Sequence, residues 1–518
     1  MKKKLEAPAH APGATTSEPM AIAMWLRAYQ VELTLFLLAF VVLTGFSSQR
    51  FLRQSAAPHF VYQAKAWLDG RQDIAAEVLP NIEDWACVRE VNGARQRCTP
   101  PLMPSDRWFS SFPWFPSVLM LPFVAIQGYQ LNDTSFGVLI AALAVVLFYL
   151  LLRLLSEQEG TGHKPLDNAV LASLLGFGTV FFYAAIRGEV WFSAEVMGVA
   201  LTALYLKSAV GARHPVLAGL FWSMAVLSRT PLFFTGVFFV MEAVAPTRGQ
   251  RVDDWKAFLG KPGPKLRALG RFAIGAAPLG LLAVLSNLSR FGSLTEFGHR
   301  FFYDNRVNVD IDTWGLFSLH YLGRNLDAAF LRLPAISGHP PLLAYDPWGL
   351  SLFITLPLLA LAFIPSSRPK DVWQALGVMA AVLVASMLWP SQPPPPGEPP
   401  VGWRSPLAWL VLAFGLFWLG RFAWRWVQEK DAPRLLAPVL LTLVCCMAPG
   451  LVYQNTGYAQ FGFRFSLDYT PYVFVLLALG RWDFKRGLPL ALGALSVAAN
   501  VWGAAAFRGY TELVRGWR

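Results

Sequence analysis

The chain has 518 residues, of which 55% are hydrophobic, 14% aromatic and only 15% charged, with a formal net charge of +12. Soluble domains carry about 25% charged residues, so a nucleic-acid-binding protein, a disordered chain and a cytosolic enzyme are excluded. An all-α polytopic membrane protein is expected, its basic excess lying in cytoplasmic loops rather than against nucleic acid.

Residues 1–27 open with Lys2, Lys3 and Lys4 and contain no apolar stretch with a cleavage site. They read as a disordered cytoplasmic tail rather than a signal peptide. A spanning helix needs about 20 mostly apolar residues. About thirteen such segments are expected, at 28–46, 134–152, 168–186, 190–208, 214–228, 231–245, 272–288, 350–365, 372–389, 404–422, 435–453, 469–482 and 488–506. This divides the chain into a first span, 28–46, a first loop, 47–133, and a block of spans, 134–288, interrupted by a loop at 246–271. A second long loop, 289–349, precedes the remaining spans in 350–506 and a C-terminal tail, 507–518.

Loop 246–271 carries seven Lys and Arg residues. Short cytoplasmic loops hold the excess of such residues. The N-terminus is therefore assigned to the cytoplasm, and both long loops and the C-terminal tail to the exterior, in a bacterial inner membrane.

The first exterior loop contains Trp85 to Thr99, W-A-C-V-R-E-V-N-G-A-R-Q-R-C-T. Asn92-Gly93 is a type I′ hairpin signal. A two-residue turn there sets Cys87 opposite Cys98, within disulfide reach, and an oxidising compartment permits the bond. Residues 114–131 are apolar but carry Pro116 and Pro122, which suits an interfacial helix better than a span. The proline run at 390–400 reads as a stiff exterior connector. Cys445 and Cys446, inside an apolar run, read as inert packing residues.

Charges at membrane depth are costly and mark function. Here they gather at helix ends on the exterior side: Arg187, Glu189, Glu195, Arg229, Arg464 and Asp468. A guanidinium's planar fork suits a phosphate, and a nearby carboxylate suits general-base chemistry. Arg187, Arg229, Arg464 and Asp468 are the substrate-binding candidates. The competing reading pairs these charges to fix helix packing, with Asp468 orienting Arg464 one helical turn away. There is no metal signature. No cofactor is expected, with a divalent cation left open.

Three stretches resemble bacterial GT-C-type membrane glycosyltransferases, the class of protein O-mannosyltransferases and 4-amino-arabinose lipid A transferases. They are Pro58-His59-Phe60-Val61-Tyr62-Gln63-Ala64 through Arg71 with Asn92-Gly93 and Trp108 to Pro116; Tyr149-Leu150-Leu151-Leu152-Arg153-Leu154; and Gln460 to Pro471. The resemblance implies a polyprenyl-phosphate-linked sugar as donor and an envelope glycan, lipid or protein as acceptor. It also implies a first-loop carboxylate as base. The acidic pair of the class falls on Ala56 and Ala57, neither of which takes a proton. Three readings stay open. His59, Glu189 or Glu195 replaces the base; Asp69 or Asp73 is the true counterpart; or the chain binds or moves a lipid-linked substrate without transferring it. A transporter should show two related halves, and none is evident.

Overall fold

The computed structural model describes residues 29–80, 84–244, 262–303, 307–336, 343–344, 346–390 and 405–515. The tail 1–27, most of the basic loop 246–271 and the connector 391–400 lie outside the described residues. Among the latter, seven helices are long and apolar enough to cross a membrane, with several shorter apolar helices beside them. The chain is an all-α, membrane-embedded architecture carrying small sheets in its loops.

The long helices begin where local chemistry starts a helix. α1 is Gln30–Ser47, and a second, short helix, α2, is His59–Leu68. After the loop sheet come α3, Phe115–Gln127, and α4, Asp133–Gln158, whose Asn132 cap accepts the Ser135 N–H at 3.0 Å. α5, Pro165–Phe177, starts on a proline at its first position, where a missing N–H costs nothing. α6, Val190–Ala209, is buried nearly throughout. α7, Pro215–Val226, and α8, Gly236–Val244, flank a 3₁₀ turn at Thr230–Thr235.

α9, Pro262–Phe291, starts within the basic stretch and runs to the second loop. It lies so close to α7 that a Cβ on Gly219 would sit 2.0 Å from the Phe272 carbonyl oxygen, and one on Gly275 would sit 2.0 Å from that of Val216. Small residues that let helix backbones touch are how apolar helices associate without a hydrophobic drive. The remaining helices are α10, Pro369–Leu388; α11, Pro406–Val427; α12, Leu436–Leu451; α13, Thr470–Leu479; and α14, Gly487–Arg515.

Two segments differ from full spans for identifiable reasons. α3 has 13 residues, about 20 Å of helix, too short for a bilayer core of about 30 Å. The 350–365 segment forms two single turns, Leu352–Thr355 and Leu359–Ala362, rather than one helix. Pro357 between them removes a donor and crowds the preceding turn. The Leu359 N–H goes to Leu356, and Asn500 on α14 donates to the Thr355 carbonyl at 2.7 Å.

The first loop folds into a sheet of β1, Trp85–Val91; β2, Ala94–Arg97; and β3, Arg107–Ser110, in the order β2-β1-β3. Asn92 (φ 52°) and Gly93 (φ 77°) form the turn, pairing Val91 with Ala94 and Glu90 with Arg95. The register brings Cys98 N–H to the Cys87 carbonyl at 3.1 Å, and the two residues form a disulfide. The second loop joins this sheet: Tyr303 N–H donates to the Trp85 carbonyl at 3.1 Å. It also joins the segment after α12, where Gln454 N–H donates to the Leu316 carbonyl at 3.0 Å. Both long loops therefore pack on one end of the helix bundle, here termed the loop face.

Candidate functional site

At the loop face the chain between α5 and α6 turns sharply through Arg187-Gly188-Glu189. A Cβ on Gly188 would lie 2.2 Å from the Thr134 hydroxyl and 2.8 Å from its amide nitrogen. Only glycine admits α4 so close. The turn fixes a bidentate pair, Arg187 Nε to Glu189 Oε2 at 3.0 Å and Nη2 to Oε1 at 2.7 Å. Arg50 adds Nη1 to the same Oε1 at 3.3 Å, and Gly188 N–H donates to Oε2 at 3.2 Å. With these donors the Glu189 carboxylate is held ionised and committed, a poor proton acceptor.

The neighbouring cluster is built from three segments. α6 contributes Glu195, the α7–α8 turn contributes Arg229, and a 3₁₀ turn, Arg464–Asp468, precedes α13. Asp468 does not orient Arg464. It forms a bidentate pair with Arg229, Nε to Oδ1 at 2.9 Å and Nη2 to Oδ2 at 2.7 Å. The 3₁₀ geometry of 464–468 replaces the α-helical turn on which the i, i+4 expectation rests. Arg464 instead lies 3.3 Å from Glu195 Oε1, and Arg229 lies 3.9 Å from the same atom.

The Arg464–Glu195 contact is an ion pair without hydrogen-bond geometry. Arg464 Nε and Nη1 and both Glu195 oxygens are buried with no hydrogen-bond partner among the described residues. The Arg464 guanidinium lies 5.2 Å from the ring centres of both Phe192 and Phe465, and Arg229 sits at the same distance from Phe465. Phe192 also faces Arg187 at 5.4 Å, so one ring bridges the two clusters. The Arg229 side chain is 16% exposed, the most accessible member of the cluster.

His59 belongs to neither cluster. Its ring is fully buried and stacked on Trp85 at 3.9 Å, with Phe112 edge-on at 5.6 Å. It starts an aromatic wall that continues through Phe112, His299, Tyr453 and Phe465 to the arginines. Burial keeps the His299 imidazole below its ordinary pKa, and so neutral near pH 7. In the sheet, the hydrogen bond from Arg89 holds Asp106 below the usual carboxylate range. The Cys87, Cys98 and Asp106 atoms lie close together, but the sulfurs are spent in the disulfide.

Three residues at this face carry no signal in the sequence. Arg50 meets Glu189 only through the fold. Asp133 fills the space near Ser55-Ala56-Ala57, accepting from the Ser55 N–H at 2.8 Å and hydroxyl at 2.6 Å. Asp84, half-buried at the start of the sheet with φ 58°, accepts the Trp191 Nε1–H at 3.0 Å. Trp191 stands one helical turn before Glu195 on α6, so this bond fixes Asp84 to the helix that carries the cluster. A first-loop carboxylate is thus tied to the helix that carries Glu195, from beside the hairpin instead of beside His59. Comparison of the chain with protein-family models, with curated proteins and with solved structures finds no match in any of the three.

Proposed function

We propose that the protein is an integral membrane glycosyltransferase of GT-C type, moving a sugar from a polyprenyl phosphate to a cell-envelope acceptor at the loop face. One observation carries this reading: Arg464, buried between two aromatic rings, holds donor groups with no acceptor among the described residues. A buried donor left unsatisfied costs about 1–3 kcal/mol, and a bound oxyanion would remove that cost. Arg229 stands beside it, oriented by Asp468.

In this reading the acceptor hydroxyl gives its proton to Asp84, and its oxygen forms the new bond to the anomeric carbon. The bond from that carbon to the phosphate oxygen breaks, and the polyprenyl phosphate departs with the electron pair. Arg464 and Arg229 stabilise the charge that develops there. Attack opposite the leaving group inverts the anomeric centre. Trp191 positions Asp84 through its N–H.

A second reading, a binder or carrier of a lipid-linked substrate, is favoured by the engagement of Glu189, Glu195 and Asp468 with arginines. In that reading the three carboxylates serve as counter-charges to the arginines. Sugar transfer from a panel of polyprenyl-phosphate sugars to envelope fractions separates the two. The transferase reading expects turnover that falls by about 10²-fold or more in Arg464→Gln and in Asp84→Asn. Donor retained by the wild type with no turnover from any sugar establishes the carrier reading.

A further inference from the structure

A groove of about 240 Å³ lies on the flank of the loop face, apart from the Arg229–Arg464 cluster. It opens between α2, α3 and the C-terminal end of α9. Val118, Leu121 and Leu282 form its apolar side, and Gln63, Trp67, Gln72, Trp114, Ser286 and Arg290 its polar end. Beyond it the outward surfaces of α3 and α9 stay apolar, with Phe123, Ile126, Leu281 and Leu285 exposed. These are the surfaces that bilayer chains cover.

Arg290 is the unusual member. It is 3% exposed, and no carboxylate pairs with it among the described residues. Its guanidinium gives one hydrogen bond from each nitrogen: Nη1 to the Ser110 carbonyl at 3.2 Å, Nη2 to Asn287 at 3.2 Å, and Nε to the Ser286 carbonyl at 3.3 Å. A guanidinium has five N–H groups, so two remain. Trp114, 6% exposed, lines the same groove, and its indole N–H is buried without an acceptor among the described residues. Gln63 uses its carbonyl oxygen to accept from Ser117 at 2.8 Å, leaving its amide hydrogens for the groove.

A buried cation without a counter-charge is expensive unless something anionic meets it. The bonds to Ser110, Asn287 and Ser286 use three of the Arg290 N–H groups and leave the charge itself unmatched. An apolar wall continuous with lipid-facing helix surface, ending on that charge and a spare indole donor, has the shape of an amphiphile: chain outward, anion inward.

We infer that this groove holds one anionic phospholipid, its phosphate on Arg290 and Trp114 and an acyl chain along Val118, Leu121 and Leu282. The site is separate from the proposed transfer chemistry and does not depend on it.

The test uses the full chain in nanodiscs of phosphatidylcholine with a minority of phosphatidylglycerol, read by native mass spectrometry for lipid retained after release. The wild type should retain one tightly held phosphatidylglycerol, and Arg290→Gln should hold it about tenfold more weakly, the scale of a lost charge-assisted contact. Arg290 also ties α9 to β3, so Leu121→Trp is the second variant. It fills the groove, leaves Arg290 in place and should displace the lipid equally. Arg464→Gln should leave retention unchanged. Unaltered retention in Leu121→Trp, or in a folded Arg290→Gln, overturns the proposal. Displacement by millimolar inorganic phosphate would make the ligand a free anion, and displacement by equimolar undecaprenyl phosphate would make it a polyprenyl lipid. Either result also overturns it.

Discussion

The two ends of the helix bundle treat ion-paired arginine differently. At the end away from the long loops, Arg434 joins three elements and satisfies the buried Glu242 carboxylate. Nη1 reaches Glu242 Oε1 at 2.7 Å, and Nη2 reaches Glu159 at 2.8 Å and Glu242 Oε2 at 3.0 Å, while Gly211 N–H completes Glu242 at 2.6 Å. At the loop face, Arg464 and Glu195 balance each other's charge and leave their hydrogen-bonding capacity unspent. A saturated cluster is a fastener. A cluster neutral in charge but unsatisfied in hydrogen bonds is the one proposed above to take a ligand. Charge alone does not separate the two, since both are basic residues at helix ends.

Variants test that contrast. The largest effect is expected from Arg434→Gln, which strands Glu242 and Glu159. Breaking such a buried pair costs about 3–5 kcal/mol, visible as a large drop in thermal midpoint. The double variant Glu195→Gln with Arg464→Gln replaces an ion pair by two amides and should cost about 1 kcal/mol or less, since neutralising both partners strands no charge. Equal destabilisation by both changes would erase the distinction.

Removing the disulfide with Cys87→Ser and Cys98→Ser should loosen the first-loop sheet by about 2–3 kcal/mol, the scale for a closed loop of this length. Protease sensitivity confined to residues 84–110 would report it. Stability unchanged under reducing conditions would show that the sheet rests on its packing against the second loop.

The smallest effect is with pH. Asp106 has a folded-state pKa below its unfolded value, so its pairing with Arg89 contributes above the unfolded carboxylate pKa of about 4 and is lost as pH falls through the folded value. His299, also depressed, favours the folded state while neutral. Below the unfolded imidazole pKa of about 6.5 the unfolded chain gains a proton that the folded one does not. The loop-face fold should therefore weaken modestly from pH 7 to pH 5, and His299→Phe should flatten that slope. An unchanged slope in the variant would remove His299 from the account.

Much of the local structure was legible in the residues. Apolar runs of spanning length, the Asn92-Gly93 turn that sets Cys87 across from Cys98, and Pro116 in the first turn of α3 all act over neighbours in sequence. Pairing partners were not legible. Arg229 and Asp468 stand 239 residues apart, and the choice between Asp468 and Glu195 as the partner of Arg464 depends on a 3₁₀ turn that no periodicity announces. His59 beside the vacated acidic positions looked like a replacement base, yet the Trp85 ring of β1 claims its face. Asp84 carried no motif at all. It enters the account because the α6 tryptophan ties it to the helix that carries Glu195.

The most direct test of the central claim is equilibrium binding of a short-chain polyprenyl-phosphate sugar to the purified protein, wild type against Arg464→Gln, with Arg434→Lys as a folded control. The account predicts binding weakened by about tenfold or more in Arg464→Gln, the scale of a lost charge-assisted phosphate contact, and unchanged in the control. Equal affinity in a folded Arg464→Gln protein would contradict it.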